Sequence, residues 1–169
     1  MVHLFSSGER SELINKASIA AARLKQKKII ALSTDTIYGL AGIFEPSVIA
    51  RIHKVKKRDL AKPFILALPE NENFLQFIDE SKPDAQRLYF IKQKVDQGWP
   101  GKISFIFAKN PNLPYPPGDT IGLRIPKKED NLFFYTVLQQ TGPLVIPSLN
   151  KAGSEPLFEL KQIEETFGA

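Results

Sequence analysis

Apolar residues recur along the chain in two patterns, either at helical spacing or in short continuous runs. In residues 9–25 they recur every three or four positions and so share one helical face: Leu13, Ala17, Ala20, Ala21 and Leu24. Residues 46–58 repeat this spacing after a proline, which suits a first helical turn because its missing N–H would have no partner there. Both segments are predicted to form amphipathic helices.

Short apolar runs bounded by glycine, proline or small polar residues predict strands. These runs are 28–33, 36–42, 63–68, 103–108, 120–125 and 143–148. Further helices are predicted at 70–78, 83–95, 130–141 and 160–168. The loop at 109–118 holds four prolines and is predicted to lack regular structure. Strands interspersed irregularly with helices indicate an α/β domain with a mixed sheet.

The length of 169 residues suits one domain, so residues 1–169 are expected to fold as a single unit. A chain of this size buries enough surface to need no covalent staples. It contains no cysteine, which excludes disulfides and thiolate chemistry. It has two histidines, His3 and His53, which argues against a multi-histidine metal site.

The positive net charge of the chain indicates which classes of partner it would bind. A net charge of +5 and a pI of about 9.4 favour polyanions such as RNA or nucleotides. No apolar run approaches the length of a membrane span, and the first residues lack the pattern of a signal peptide. Together with the lack of cysteine, this predicts a cytoplasmic protein without a membrane partner.

Two stretches in the first half of the chain carry candidate chemistry, and each also has a purely structural interpretation. The hydroxyls of "STDTIYGLAG" (33–42) suit either a small polar ligand or the backbone groups of a turn. The stretch "KVKKRDLAKPF" (54–64) carries five cations near a predicted helix end. Lys56 and Arg58 would reach one cleft and bind phosphate oxygens if the helix unwinds at Lys57. Otherwise they form a solvated, charged helix end.

Four further positions of interest lie in the second half of the chain. Arg124 interrupts an apolar strand, where a buried guanidinium needs either an anionic ligand or an Asp or Glu partner. Ser148 ends the last predicted strand and Asn150 follows it, at a strand end where ligands commonly bind, although both residue types also form turns. Trp99, which precedes Pro-Gly, is predicted to be a packing anchor.

Taken in order, the blocks "STDTIYGL", "KKRDLAKP", "WPGKIS", "LRIP" and "SLNKAG" resemble the motif series of the YrdC family of threonylcarbamoyl-AMP synthases. The resemblance covers about residues 10–168, nearly the whole chain. It implies a nucleotidyltransferase that joins L-threonine, bicarbonate and ATP, with release of pyrophosphate, for threonylcarbamoyladenosine modification of tRNA. It also implies a single YrdC-like α/β domain with a twisted mixed sheet and flanking helices around a concave basic cleft.

The resemblance further implies roles for seven residues. Those that would bind ATP are Lys56, Arg58, Ser148 and Asn150. Those that would bind threonine are Thr34, Tyr38, Arg124 and Ser148. Lys56 and Arg58 would be catalytic by neutralising phosphate charge, and Arg124 would hold the threonine carboxylate. Mg²⁺ would enter with ATP, with no metal held directly by the protein.

The chain departs from the family pattern in two ways that matter for the site. Leu149 stands where the family usually has alanine, and its larger side chain is expected to narrow the nucleotide pocket. Family members usually continue with a glycine-rich loop and an S-T-[IV] strand, which is not found before Ala169. The resemblance is therefore to a short form.

Two alternatives stay open from the sequence. The basic balance suits an RNA-binding protein, acting on structured or double-stranded RNA or in ribosome maturation, without adenylating activity. RNA and tRNA-modification proteins are candidate partners, whether the protein is a synthase or an RNA-binding protein. YrdC-like domains of hydrogenase maturation proteins use carbamoyl-adenylate chemistry instead, but they usually belong to much longer chains.

Overall fold

The computed structural model describes residues 10–59, 64–70, 74–81, 85–150, 157 and 160–167. Its helices are α1 (Arg10–Lys25), α2 (Pro46–Lys56), α3 (Ala85–Gly98), α4 (Leu132–Thr141) and α5 (Leu160–Phe167). Its strands are β1 (Ile30–Ser33), β2 (Tyr38–Ile43), β3 (Leu66–Ala67), β4 (Phe105–Ala108), β5 (Thr120–Arg124) and β6 (Leu144–Val145). A 3₁₀ turn covers Phe74–Phe77.

The described strands form one open, six-stranded sheet in the order β1-β2-β6-β3-β5-β4. Only the β3–β5 pair is parallel, and the other described pairs are antiparallel. The predicted mixed-sheet α/β fold is therefore confirmed. The assignment of residues 1–169 to one domain stays a prediction.

Two apolar clusters lie on the two faces of the sheet, as the alternation of side chains along a strand requires. In β1, Ala31 joins one cluster, whereas Ile30 and Leu32 join the other. Helix α2 packs in the first cluster, while α1 and α4 pack together in the second. The predicted face of α1 is confirmed, with four residues buried and one half-buried: Ala17, Ala20, Ala21, Leu24 and Leu13.

The strands β3 and β6 are shorter than the apolar runs that predicted them, 63–68 and 143–148. In β6 the regular ladder stops before Pro147, which has no N–H to donate. Contacts to β2 nevertheless continue, because Leu40 donates its N–H to the Pro147 carbonyl at 2.9 Å. An isolated bridge between Gly39 and Ser148 follows, so the end of β6 stays beside the start of β2.

Trp99 is a packing anchor, as predicted. Its side chain is buried and makes edge-to-face contacts with Phe74, Phe105 and Phe107. Its indole N–H donates to the carbonyl of Ile103 at 2.7 Å, so the polar atom is satisfied.

Within the described residues, no helix combines the length and apolar character needed to span a bilayer.

Candidate functional site

A concave cavity of about 340 Å³ opens where the β1–β2 turn, the end of β5 and the segment after β6 meet. Its polar lining comes from Thr34, Thr36, Arg58, Arg124 and Ser148. Its remaining lining comes from Ile37, Tyr38, Gly39, Phe64, Ile65, Ile146 and Pro147. Arginines are the only ionic side chains among these described lining residues, so the cleft is basic, as expected.

The β1–β2 turn is held by the hydroxyl of Thr34. This hydroxyl donates to the carbonyl of Ile37 at 2.6 Å and accepts from the N–H groups of Thr36 and Ile37, each at 3.2 Å. The backbone-satisfying interpretation of "STDT" is therefore confirmed for Thr34. The same residue lines the cavity, so a structural role and a ligand-facing position coexist.

Arg124 lines the cavity and also forms an ion pair at its wall. Its Nη2 donates to Asp35 Oδ1 at 2.8 Å, and its Nη1 lies 3.5 Å from the Thr36 hydroxyl. The Asp35 side chain is fully buried, and burial raises its pKa although the Arg124 charge opposes the shift. Asp35 Oδ2 and Arg124 Nε have no hydrogen-bond partner among the described residues. Arg124 thus has the carboxylate partner that burial requires and N–H donors left over.

Lys56 is buried beneath the cavity rather than lining it, with 2% of its surface exposed. Its ammonium donates to the carbonyl of Ser148, to the carbonyl of Asn150 at 2.7 Å and to Asn150 Oδ1 at 3.1 Å. The Ser148 hydroxyl donates to the same Oδ1 at 2.6 Å. Lys56 therefore fastens the end of α2 to a segment 92 positions away along the chain.

The environment of Lys56 also changes its titration. Burial, and secondly the charge of Arg58, lower the pKa of Lys56 to about 8. At neutral pH the group is still protonated, and its three N–H bonds match the three oxygens around it. A cation with satisfied donors thus lies directly behind Ser148.

Arg58 reaches the cavity because α2 unwinds at Lys57, which was one of the two possibilities that the sequence left open. Lys57 adopts a left-handed conformation with φ of 50°, and the N–H of Arg58 bonds the carbonyl of His53 at 3.0 Å. This is the hydrogen-bond pattern of a Schellman cap. The reversal sends Lys56 into the interior and Arg58 to the cavity wall.

Five of the seven predicted site residues line the cavity: Thr34, Tyr38, Arg58, Arg124 and Ser148. Lys56 and Asn150 do not, although both contact Ser148. Leu149 does not narrow the cavity, so that expectation is wrong: its side chain is fully buried in the core. Residues 60–63 and 151–156, which complete two of the motif blocks, lie outside the described residues.

Two residues with clear positions at the site were not predicted from the sequence. Asp35, the carboxylate of the first block, pairs with Arg124 across 89 positions. Asn131 caps α4 by accepting from Phe134 N–H at 2.9 Å, and its amide donates to the Thr34 carbonyl at 2.8 Å. An asparagine before a predicted helix signals a cap, but only the fold shows that this cap also holds the turn.

Similarity to known proteins assigns the chain to a family. Residues 22–169 match the family model Sua5/YciO/YrdC, which carries the description "Telomere recombination". The chain belongs to the Sua5/YciO/YrdC family. The predicted family resemblance is thus confirmed.

Named relatives within this family share about a quarter of the aligned residues. A threonylcarbamoyl-AMP synthase of Pyrococcus abyssi is 26% identical over 156 residues, which cover 90% of this chain. One from Klebsiella pneumoniae is 27% identical over 154 residues, 88% of this chain and 77% of the relative. The chain spans 44% of the P. abyssi protein and 66% of a Mycobacterium tuberculosis relative, less than two thirds of either.

Solved structures support the fold. P. abyssi Sua5 complexed with L-threonine aligns with a TM-score of 0.79 and 21% identity, over 98% of this chain and 46% of that one. Escherichia coli YciO aligns with a TM-score of 0.72 and 21% identity, over 98% of this chain and 79% of that one. At these identities the likeness concerns the architecture alone.

Proposed function

We propose that this protein synthesises threonylcarbamoyl-AMP from L-threonine, bicarbonate and ATP, with release of pyrophosphate, for threonylcarbamoyladenosine modification of tRNA. One observation carries the proposal. Arg58, Ser148, Thr34 and Arg124 come from four distant motif blocks yet line one cavity. Relatives in the same family are named threonylcarbamoyl-AMP synthases, and one structural neighbour was solved with L-threonine.

The ATP side of the cavity is formed by the residues around the end of α2. Arg58 offers a planar guanidinium, which suits two phosphate oxygens at once. Ser148 adds a hydroxyl, and Lys56 and Asn150 lie directly behind it. The Lys56 charge acts through its proximity, because all three of its N–H bonds are directed at protein oxygens.

Mg²⁺ enters this account as part of the Mg·ATP substrate. The described residues contain no cluster of three or more His, Cys, Asp or Glu side chains that would hold the ion separately. Arg58 faces the cavity, and its charge, together with that of the Mg²⁺ that would enter with ATP, would reduce the repulsion between phosphate oxygens and so favour attack at the α-phosphorus.

The threonine side is formed by the β1–β2 turn and Arg124. Arg124 has N–H donors beyond those directed at Asp35 and Thr36, and these suit the carboxylate of an amino acid. Thr34 and Tyr38 lie on the same wall and would orient the amino acid. Asp35 holds the guanidinium in place and offsets its charge inside the wall.

The reaction needs no covalent intermediate on the protein. The amine of threonine condenses with bicarbonate to a carbamate, with loss of water. A carbamate oxygen then attacks the α-phosphorus of ATP, and pyrophosphate leaves with the electrons of the broken P–O bond. The residues of the cavity supply binding, orientation and charge neutralisation.

The direct test is pyrophosphate release by the purified protein in the presence of Mg·ATP, bicarbonate and L-threonine. We expect release that depends on L-threonine. Folded protein that releases none, or releases it equally without threonine, would overturn the proposal.

RNA binding is the second candidate, because two arginines line an open, concave surface in a chain of net charge +5. Phosphate contacts predict an affinity for duplex RNA that falls steeply with salt. Salt-sensitive RNA binding without threonine-dependent pyrophosphate release would favour this candidate over the synthase.

A further inference from the structure

Three buried side chains surround Arg58, none of which belongs to the predicted site. His53 lies on α2, Phe64 precedes β3, and Tyr115 lies in the proline-rich loop at 109–118. Their exposed fractions are 2%, 4% and 7%. Buried polar atoms in such a cluster need partners, so the direction of each hydrogen bond can be assigned.

The hydrogen bonds of this cluster form one directional chain. The N–H of Phe64 donates to the Tyr115 hydroxyl at 2.9 Å. That hydroxyl lies 3.4 Å from His53 Nε2, and His53 Nδ1 lies 3.3 Å from the carbonyl of Arg58. A carbonyl only accepts, so Nδ1 must carry the hydrogen. Nε2 of a neutral imidazole is then the acceptor for the Tyr115 O–H.

An aromatic ring contacts the guanidinium of Arg58. The guanidinium lies over the Phe64 ring, 5.2 Å from its centroid, which suits a cation–π contact. The imidazole of His53 stacks on the same ring at 4.2 Å. Arg58 is therefore contacted at its carbonyl by His53 and at its guanidinium by Phe64.

We infer that His53, Phe64 and Tyr115 are positioning residues that fix the Arg58 guanidinium in the cavity, with neutral His53 as the link between Tyr115 and Arg58. As a statement about Mg·ATP binding, this inference rests on the proposed function. The hydrogen-bond chain itself is independent of the proposed function. The three residues act through Arg58 and do not themselves bind phosphate.

The surroundings of His53 lower its pKa and so favour the neutral form. Burial lowers the pKa most, and the charge of Arg58 also lowers it, whereas the hydrogen bond to the Arg58 carbonyl and the backbone and charge of Asp59 act in the opposite direction. Burial raises the pKa of Tyr115 to about 12, so its hydroxyl keeps the hydrogen that it donates. Protonation of His53 in acid would give Nε2 a hydrogen and remove the acceptor for Tyr115.

The first experiment reads the hydrogen-bond chain without any ligand. Imidazole ¹⁵N chemical shifts identify the tautomer, and His53→Asn assigns the signal because the chain has only two histidines. We expect the hydrogen on Nδ1. A hydrogen on Nε2 at neutral pH would overturn the inference whether or not the protein binds ATP.

The second experiment measures Mg·ATP and L-threonine affinities by calorimetry. Tyr115→Phe keeps the ring and removes the hydroxyl, and we expect Mg·ATP to bind about fivefold to tenfold more weakly, the effect of about one lost hydrogen bond. L-threonine affinity should change less than twofold. Tyr135→Phe is the matched control, because its hydroxyl donates to Glu70 and its ring does not line the cavity.

A double variant separates positioning from general packing. If Tyr115 acts through Arg58, then Arg58→Ala with Tyr115→Phe should bind Mg·ATP no more weakly than Arg58→Ala alone. His53→Asn should bind more tightly than His53→Ala, because the Asn amide can still donate to the Arg58 carbonyl. Additive losses, or equal losses for threonine, would overturn the positioning role. A wild-type protein that binds no Mg·ATP would instead overturn the proposed function, while the tautomer would still decide the hydrogen-bond chain.

Discussion

Lys56 and Arg58 are two positions apart, yet their surroundings are opposite. Lys56 is buried with its donors satisfied by Ser148 and Asn150, whereas Arg58 lines the cavity. Substituting each should therefore have different consequences. Removing Arg58 should impair binding and activity, while removing Lys56 should impair stability as well.

Arg58→Ala is expected to reduce threonine-dependent pyrophosphate release by about 10-fold to 100-fold, the range for a charged hydrogen bond to phosphate. Lys54→Ala is the matched control, because it removes an exposed cation from α2, four positions before Arg58 and outside the cavity. The measurement is kcat/KM for ATP. Equal activity of the two variants would contradict the phosphate role of Arg58.

Lys56→Met is expected to destabilise the fold by about 1–3 kcal/mol, because two part-buried carbonyl oxygens and Asn150 Oδ1 each lose a hydrogen bond, although Oδ1 keeps the one from the Ser148 hydroxyl. The pKa of Lys56 also makes its contribution depend on pH. Between about pH 8 and its ordinary value of 10.5, the unfolded chain binds more protons at this site than the folded chain. Folding stability of the wild type relative to Lys56→Met should thus rise with pH through this window and stay level below it.

Urea unfolding of both proteins from pH 7 to pH 10 checks this prediction. Other titrating groups contribute equally to the two proteins and cancel in the difference. A difference that does not change with pH would show that Lys56 titrates alike in the folded and unfolded states.

For individual residues, the sequence predicted which side chains line the site better than it predicted which side chains they contact. The motif blocks indicated Thr34, Arg124 and Ser148, and all three line the cavity. The pairing of Arg124 with Asp35 could not be singled out, because β5 reaches the β1–β2 turn only in the folded sheet. Spacing along the chain carries no information about such a partner.

The end of α2 decides where the cations point. Lys57 occupies a left-handed position, which costs a residue with a side chain about 1–2 kcal/mol. Glycine adopts this conformation freely but gains entropy in the unfolded chain. Lys57→Gly is therefore expected to stabilise the protein by about 0.5–1 kcal/mol, measured by urea unfolding.

The matched control for Lys57→Gly is Ala50→Gly, at an exposed position in the interior of α2. Glycine at a helical interior position costs about 1 kcal/mol relative to alanine, so this variant should lose stability. Effects of the same sign in both variants would contradict the assigned role of the left-handed cap.

The contact between β2 and α2 depends on Gly42. A Cβ added there would lie 2.5 Å from Val48 Cγ1 and 2.9 Å from Ile52 Cδ1. Gly42→Ala should therefore displace the helix that carries Lys56 and lower the free energy of unfolding by about 1–3 kcal/mol.

Gly122→Ala in β5 provides the comparison for Gly42→Ala, because a Cβ there meets its nearest atom at 3.5 Å. Thermal or urea unfolding of both variants measures the difference. Similar stabilities would show that α2 moves aside at little cost.

Element boundaries show what hydrophobic pattern can and cannot predict. The face of α1 was predictable because its 3.6-residue period reports burial directly. Apolar runs around β3 and β6 report burial equally well, but ladder pairing also needs free N–H groups. Pro147 removes one, so the regular strand ends at Val145 while its chain continues beside β2.

For the whole molecule, composition and pattern predicted a mixed α/β fold, and the sheet confirms it. The strand order could not be predicted from the sequence, because a short apolar run does not specify which strands will pair with it. That order creates the cavity: β6 lies between β2 and β3, so Ser148 comes beside the turn that carries Thr34. The net charge favours anionic ligands but does not separate a nucleotide from RNA.

The central claim is that one cavity joins threonine, bicarbonate and ATP. Its most direct test is incubation with ¹³C-bicarbonate, L-threonine and Mg·ATP, followed by mass spectrometry of the nucleotides formed. We predict an adenylate that contains both threonine and the labelled carbon, made by the wild type and Lys54→Ala and strongly reduced in Arg58→Ala. Wild-type protein that folds and binds Mg·ATP but forms no labelled adenylate would contradict the account.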